Sequence, residues 1–222
     1  MQRSFGTQMS DLDVTEEQVD AWQSEHEMRW RKSPRRKARK WRSVVSIVDR
    51  ETPEAALLVQ GVVQPYGSTS EGELIRALVI PWRTIVERLK KDWSEAFRIP
   101  PRLWEEMIAA AFEQDGYDEV ILTPRSRDRG RDVIAMKNGV GCIRIIDSVK
   151  AYAAHHLVGH DDVRALAGVL FGDPKASKGI VTTTSDFAPG IRTDPYLSPL
   201  IPYRLELMNG PTLKEWLFKV SK

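Results

Sequence analysis

The stretch that decides the fold is residues 127–152, RDRGRDVIAMKNGVGCIRIIDSVKAY. It contains two strand-like runs, DVIAMK and GCIRIIDSVKAY, joined by Asn138-Gly139, a dipeptide typical of tight hairpin turns. An antiparallel pair of this kind brings Asp132, at the start of the first strand, close to Lys150, near the end of the second. Metal-assisted hydrolysis of a phosphodiester requires such a convergence of carboxylate and cationic groups, and oxygen ligands suit Mg²⁺ or Mn²⁺.

The segments around this hairpin predict a mixed α/β arrangement. Upstream, the apolar spacing predicts a helix over residues 82–97, with Trp82, Ile85 and Leu89 on one face, and a second helix over 101–114. Downstream, short β-branched runs alternate with helical patterns, and Thr212 is expected to cap the last helix. These downstream elements are the helix 160–172, the strands 179–185 and 204–208, and the helix 213–220.

Charge divides the chain into unequal parts. We expect a charged N-terminal arm over residues 1–42, a small β-rich region over 43–81, and the main domain over 82–222. Residues 29–42 carry nine basic side chains and no acid, which can neutralise nucleic-acid phosphates. A solvated basic face, or a partner for the acidic residues before it, is the alternative. The candidate phosphate-binding side chains in this block are Arg35, Arg36, Lys37, Arg39 and Lys40.

Several classes of function find no support in the sequence. Cys142 is the only cysteine, which excludes an internal disulfide, and its apolar neighbours predict a buried position. No membrane span is expected because no run of 18 apolar residues exists. The polar, acidic start predicts a cytoplasmic protein. Nucleotide-binding glycine motifs and nucleophile elbows are absent.

A series of ordered motifs gives the sequence its family resemblance. Over residues 82–219 the chain resembles the metal-dependent nuclease domain of Mrr-type restriction endonucleases. The matching elements are an aromatic-Glu pair on a helix, a Gly-Tyr turn, a strand, an Asp-x-Gly-x-Asp loop, a strand ending in lysine, and a strand ending in Thr-Thr-Ser. In this chain they read Trp104-Glu105, Gly116-Tyr117, VILT, Asp128 to Asp132, Ser148-Val149-Lys150 and GIVTTTSDF.

The resemblance implies a fold and a set of roles. The fold would be a restriction-endonuclease-like mixed sheet flanked by helices, preceded by a smaller N-terminal α+β region. Asp132 would be the main metal-binding carboxylate and Glu105 the helix-borne acid that completes the site. Lys150 would position the attacking water or stabilise the pentavalent phosphorus, and the carbonyl of Val149 would be an extra ligand of Mg²⁺ or Mn²⁺. The substrate would be DNA, in restriction, defence or competition among mobile elements.

One position departs from the family pattern. The residue two places before the lysine is usually Gln or Glu, and here it is Ser148. Serine is too short to replace glutamine directly, but it could hold a water that reaches the metal. Because a strand alternates faces, Asp147 points away from Lys150 and could supply the missing charge only through a bulge.

The sequence also allows functions other than an active nuclease. Ser148 favours a catalytically weakened nuclease fold that binds DNA, and the basic block favours an interaction protein whose arm binds acidic partners or RNA. Arg127 and Ser126 could contact phosphate, whereas Asp128 is expected to shape its loop. A homodimer is a reasonable expectation because double-strand cutting often needs two active sites. His155, His156 and His160 are not expected to form a zinc site, because Gly159 predicts a loop where one helix would have to carry both His156 and His160.

Overall fold

The computed structural model describes residues 61–124 and 130–222. Their strands form one mixed sheet in which spatial order follows chain order. The first five strands pair antiparallel and the last two pairings are parallel. The strands are β1 (Val63–Ser68), β2 (Glu73–Ala77), β3 (Glu119–Leu122), β4 (Val133–Lys137), β5 (Ile143–Lys150), β6 (Lys178–Thr183) and β7 (Leu205–Met208).

Helices cover both faces of this sheet. They are α1 (Val79–Lys91), α2 (Pro101–Gln114), α3 (His160–Gly172) and α4 (Gly210–Val220), with short 3-10 helices at Trp93–Arg98 and Ile191–Thr193. The helix expected over 82–97 is therefore two elements. The Asp92 carboxylate accepts a hydrogen bond from the Ser94 amide at 2.9 Å and caps a new 3-10 turn instead of continuing α1.

Two hydrophobic cores lie on opposite faces of the sheet. On one face Trp104 and Met107 of α2 pack against a cluster that includes Ile145 of β5. On the other, Leu166 of α3 belongs to a cluster with Ile146. Adjacent residues of β5 thus point to different cores, as strand geometry requires, and both faces of its apolar run are buried.

The β4–β5 connection differs from the expected two-residue turn. Lys137 is the last β4 residue to pair, and its partner is Ile143, so residues 138–142 form a five-residue loop. Gly141, rather than the Asn138-Gly139 dipeptide alone, supplies a left-handed residue at φ 85°. Cys142 is exposed in this loop, so its expected burial is wrong: the apolar run becomes buried only after the loop ends.

The segment before α1 contributes to the same sheet. β1 and β2 form a hairpin, and β2 pairs with β3 through Glu73 and Leu74. β1 extends to Ser68, and β2 ends at Ala77 because Val79 already begins α1. Residues 1–60 lie outside the described residues, so the division at 42 and 81 stays a prediction.

The start of the last helix also differs from expectation. Asn209, not Thr212, is the cap: its side-chain oxygen accepts a hydrogen bond from the Thr212 amide at 3.2 Å. α4 therefore begins earlier, at Gly210, where a Cβ would stand 2.4 Å from the Thr184 carbonyl oxygen. Across residues 61–124 and 130–222, no helix combines the length and apolar character that crossing a bilayer demands.

Candidate active site

Asp132 stands immediately before β4 and is held by backbone hydrogen bonds. Its amide donates to the Asp147 carbonyl at 2.9 Å, and its own carbonyl accepts from the Thr123 amide at 3.0 Å. The Val149 amide donates to the Asp132 carboxylate at 2.7 Å. Asp132 therefore lies close to the end of β5, as the strand pairing predicts. Its carboxylate contacts Val149, the residue before Lys150.

Glu105 is carried by α2 and paired with an arginine one turn earlier. The Arg102 guanidinium donates to the Glu105 carboxylate at 2.5 Å and to the Thr123 carbonyl at 3.0 Å. Glu106 lies further from the same guanidinium, at 4.0 Å. Because the side chain of Arg102 connects α2 to the residue that follows β3, it fixes Glu105 relative to the strand edge.

An open cleft of about 360 Å³ brings the two acids together. Its lining comprises Pro100, Pro101, Arg102, Glu105, Thr123, Pro124 and Asp132. Within the part of the chain that the structure describes, no group of three or more His, Cys, Asp or Glu side chains could hold a metal ion. A cation in this cleft would therefore have two carboxylates, backbone oxygen and water as ligands.

Lys150 and Ser148 are the other two predicted catalytic residues. Alternation along β5 places them on the face of Ile146, and Ser148 keeps only 4% of its surface exposed. The Lys150 ammonium is partly exposed and lies 3.8 Å from a carboxylate oxygen of Asp162, at the start of α3. Neither Ser148 nor Lys150 lines the cleft between Glu105 and Asp132.

Asp147 is fully buried and faces the other core. β4 and β5 pair without a register shift, so no bulge turns Asp147 toward Lys150. One carboxylate oxygen accepts a hydrogen bond from the Thr182 hydroxyl at 2.8 Å, and the other has no partner among the described residues. Burial above all, and also the charge of Asp132, raises the pKa of Asp147 well above its usual value.

A cluster of ion pairs supports the start of β4 next to Asp132. Arg131 and Arg144 are both nearly buried, and both contact the carboxylates of Glu71 and Asp173. The four residues come from the β1–β2 turn, the β4 start, β5 and the end of α3. Partial burial raises the pKa of Asp173, but the hydrogen bond from the Lys175 amide, together with Arg144 and Arg131, outweighs it and holds that pKa below its usual value.

The hydroxyl groups at the end of β6 hydrogen-bond to the backbone. Thr183 donates to the Lys150 carbonyl at 2.7 Å, Thr184 to the Tyr152 carbonyl at 2.6 Å, and Ser185 to the Ala154 carbonyl at 3.2 Å. These bonds fasten the chain that follows β5. The hydroxyls therefore shape the strand edge in this structure, although the sequence also allowed phosphate contact.

The histidines occupy the predicted loop and the first residue of α3. His155 and His156 are exposed before the helix, and His160 begins it, so His156 and His160 do not share a helical face. Tyr152 stacks on His156 with ring centroids 4.3 Å apart.

Several residues that are predicted to contact nucleic acid or to shape its binding loop lie outside the described residues. Arg127, Ser126 and Asp128 lie outside the described residues, as do the basic residues Arg35, Arg36, Lys37, Arg39 and Lys40. Their proposed contact with nucleic acid stays a prediction.

Two residues of the site were missed at the level of sequence. Arg102 had a local signal, because a basic residue three positions before an acid on a helix commonly pairs with it. Asp162 had no such signal: eleven residues lie between it and Lys150 in the sequence, and the path of the loop between β5 and α3 brings the two side chains together.

Comparison with known proteins gave one family match. The Mrr_cat family model, described as restriction endonuclease, matches residues 98–217, more than half of the chain. A search of curated proteins found no match.

Two solved structures resemble the chain at 15% and 17% identity: the MspJI restriction endonuclease in complex with a 27-mer oligonucleotide, and the DNA modification-dependent restriction endonuclease AspBHI. Their TM-scores are 0.40 and 0.43, with 61% and 64% of this chain covered. The chain spans about a third of the length of each, 30% and 36%.

Proposed function

This chain belongs to the Mrr_cat restriction endonuclease family, and from that premise we propose that it is a divalent-metal-dependent DNA endonuclease acting in restriction or defence. The observation that carries the proposal is the cleft that Asp132 and Glu105 line together. Asp132 immediately precedes β4, an interior strand of the sheet, and Glu105 lies on α2. Two acids that are distant in sequence therefore line the same cleft. DNA would be the partner, and a homodimer and a cytoplasmic location remain proposals.

The donor set of the cleft fits Mg²⁺ or Mn²⁺. Mg²⁺ is commonly bound by one or two carboxylates with several waters retained, which two acids in an open cleft allow. Asp132 and Glu105 would hold the ion, and the Val149 carbonyl is the proposed backbone ligand. When bound, the ion would polarise the phosphoryl oxygen and lower the pKa of a bound water.

The residues of this chain would divide the remaining work. The Val149 amide fixes one oxygen of the Asp132 carboxylate beside the end of β5. Arg102 restrains Glu105 by a charged hydrogen bond. Lys150, on the strand next to Asp132, would direct its ammonium at the attacking water or at the charge that develops on the phosphate.

Ser148 supports a second candidate function. It leaves the site without the Gln or Glu that the family pattern has two residues before lysine, and Asp147 is buried against the other core instead of replacing it. A nuclease fold that binds DNA but cleaves it weakly or not at all would follow. The basic block at 29–42 would then supply much of the affinity, and its phosphate contacts would make binding strongly dependent on salt.

A matched pair of glutamates tests the proposed nuclease. Glu105→Gln removes an acid of the cleft, whereas Glu106→Gln removes the same charge one residue later on α2. We expect Asp132→Asn and Glu105→Gln to lower the single-turnover rate of plasmid cleavage in Mg²⁺ by at least about 100-fold, as removing one transition-state-stabilising group commonly does. Glu106→Gln should cleave like the parent chain, and EDTA should abolish cleavage.

The result that contradicts the proposal is equally specific. Equal loss in Glu105→Gln and Glu106→Gln would mean that α2 needs acidic charge in general rather than a ligand at Glu105. Cleavage that persists in Asp132→Asn would refute the assigned site. Tight DNA binding with no cleavage by any of the proteins would favour the second candidate.

A further inference from the structure

The contact between Lys150 and Asp162 gives Lys150 a partner that the family motifs do not include. Building on the proposed nuclease function, we propose that Asp162 is a positioning residue, which holds the Lys150 ammonium for the reaction from the first turn of α3. The ammonium lies 3.8 Å from one Asp162 carboxylate oxygen, and the two side chains keep 27% and 31% of their surface exposed.

The backbone fixes the Asp162 carboxylate. Its other oxygen accepts a hydrogen bond from the Gly159 amide at 3.3 Å, so the carboxylate is tied back to the residue that precedes α3. Burial of Val163 and Leu166 against the sheet anchors this turn of the helix. The carboxylate is therefore a rigidly mounted anion next to a lysine with a flexible four-carbon stem.

The charge of the same carboxylate also affects Tyr152. Burial raises the pKa of the Tyr152 phenol, and the charge of Asp162 and a hydrogen bond to it raise that pKa further. Asp162 thus interacts with the helix start, with Lys150 and with Tyr152, two residues after the lysine. Because these interactions limit the rotation of the Asp162 side chain, Asp162 restricts the position of the Lys150 ammonium more than a freely rotating surface acid would.

Asp161 provides the matched comparison. It lies in the same first turn, its side chain is fully exposed, and it pairs with Arg164 at 3.6 Å rather than with Lys150. Asp161→Asn and Asp162→Asn remove the same charge from the same end of α3. The loss of one negative charge, and with it any effect on DNA repulsion, is common to both variants. An asparagine at position 162 can still accept the hydrogen bond from the Gly159 amide, whereas the charge that faces Lys150 is lost only in Asp162→Asn.

The expected effect is a slower chemical step with little change in binding. Asp162→Asn should lower the single-turnover cleavage rate at saturating DNA by about tenfold, between the small coupling of exposed ion pairs and the roughly 100-fold cost of a 1 Å misplacement. DNA affinity, measured by fluorescence anisotropy in Ca²⁺, should agree within about twofold between Asp162→Asn and Asp161→Asn, because both variants lose one negative charge at the same end of α3. Asp162→Glu, which keeps the charge, should retain most of the rate.

A second readout needs neither DNA nor metal. Acylation of lysines by an N-hydroxysuccinimide ester, followed by mass spectrometry, reports how readily each ammonium group reacts. Lys150 should react faster in Asp162→Asn than in the parent or in Asp161→Asn. Exposed Lys175, at the far end of α3, should react equally in all three and serves as the internal reference.

The outcomes separate this inference from the nuclease itself. The rate series is run in the parent chain and in a Ser148→Gln background, with Lys150→Ala included. If Lys150→Ala abolishes cleavage while Asp162→Asn matches Asp161→Asn in rate and in Lys150 reactivity, the role of Asp162 is refuted and the nuclease stands. Cleavage that persists in Lys150→Ala would overturn the proposed function and this inference with it. The absence of cleavage in both the parent chain and the Ser148→Gln background would do the same.

Discussion

Replacing Asp147 by asparagine should change how the stability of the protein depends on pH. The carboxyl is fully buried, and within residues 61–124 and 130–222 Thr182 is the only residue that donates a hydrogen bond to it. Its pKa is raised in the folded chain, so the folded state keeps a proton that the unfolded state releases as pH increases above the usual carboxyl range. The stability contributed by the proton on Asp147 is complete at low pH and is lost as pH rises toward the folded pKa.

The size of the effect follows from this linkage. In the window between the two pKa values, each pH unit costs the parent chain up to about 1.4 kcal/mol of unfolding free energy. Asparagine has no proton to lose and can accept the same hydrogen bond from Thr182. The stability of Asp147→Asn relative to the parent should therefore increase with pH and level off above the folded pKa, while near pH 4 the two should be similar.

Urea unfolding in EDTA at pH 5, 6, 7 and 8 measures this difference directly. Asp161→Asn, which removes a fully exposed carboxylate, is the control and should differ from the parent by a constant amount across this range. Asp132→Asn should weaken the pH dependence, because the charge of Asp132 contributes to the raised pKa of Asp147. A difference between Asp147→Asn and the parent that does not vary with pH would show that Asp147 is ionised in the folded protein and refute the reasoning.

Three further substitutions test the packing around the site, each by urea unfolding at pH 7. Arg144→Met should cost about 1–3 kcal/mol, because it removes one of the two guanidinium groups that pair with Glu71 and Asp173; a loss below about 0.5 kcal/mol would mean that water already solvates the cluster. Gly210→Ala should cost about 1–3 kcal/mol, since its Cβ would meet the Thr184 carbonyl at 2.4 Å. Gly168→Ala, with nothing within 4 Å of the new Cβ, should instead stabilise α3 by about 0.5–1 kcal/mol, and equal effects of the two glycine changes would contradict the close approach.

The sequence predicts most of the core elements because their patterns are local. Alternation along β5 predicts that Asp147 and Ser148 point to opposite faces, and the two residues before them, Ile145 and Ile146, do belong to different cores. The helix that carries Glu105 and the parallel strand β6 follow from periodicity and β-branched composition. The approach of Asp132 to Val149 follows from strand pairing alone.

What the sequence does not predict depends on single side-chain contacts or on long-range packing. The cap at Asn209 and the 3-10 turn after Asp92 each depend on one hydrogen bond that competes with a helical alternative. The exposure of Cys142 depends on where pairing between β4 and β5 stops. The contact between Asp162 and Lys150 depends on how a loop of irregular structure returns α3 to the sheet.

A plasmid-cleavage assay shows whether the proposed nuclease activity requires both a divalent metal and Asp132. Supercoiled plasmid, unmodified and cytosine-methylated, is incubated with Mg²⁺ or Mn²⁺ and the parent chain, Asp132→Ala or Ser148→Gln. The parent should nick or linearise at least one plasmid and Asp132→Ala should cleave neither. Ser148→Gln should be at least as active as the parent. Equal cleavage by Asp132→Ala, or none by the parent and by Ser148→Gln on either plasmid, would contradict the proposed function.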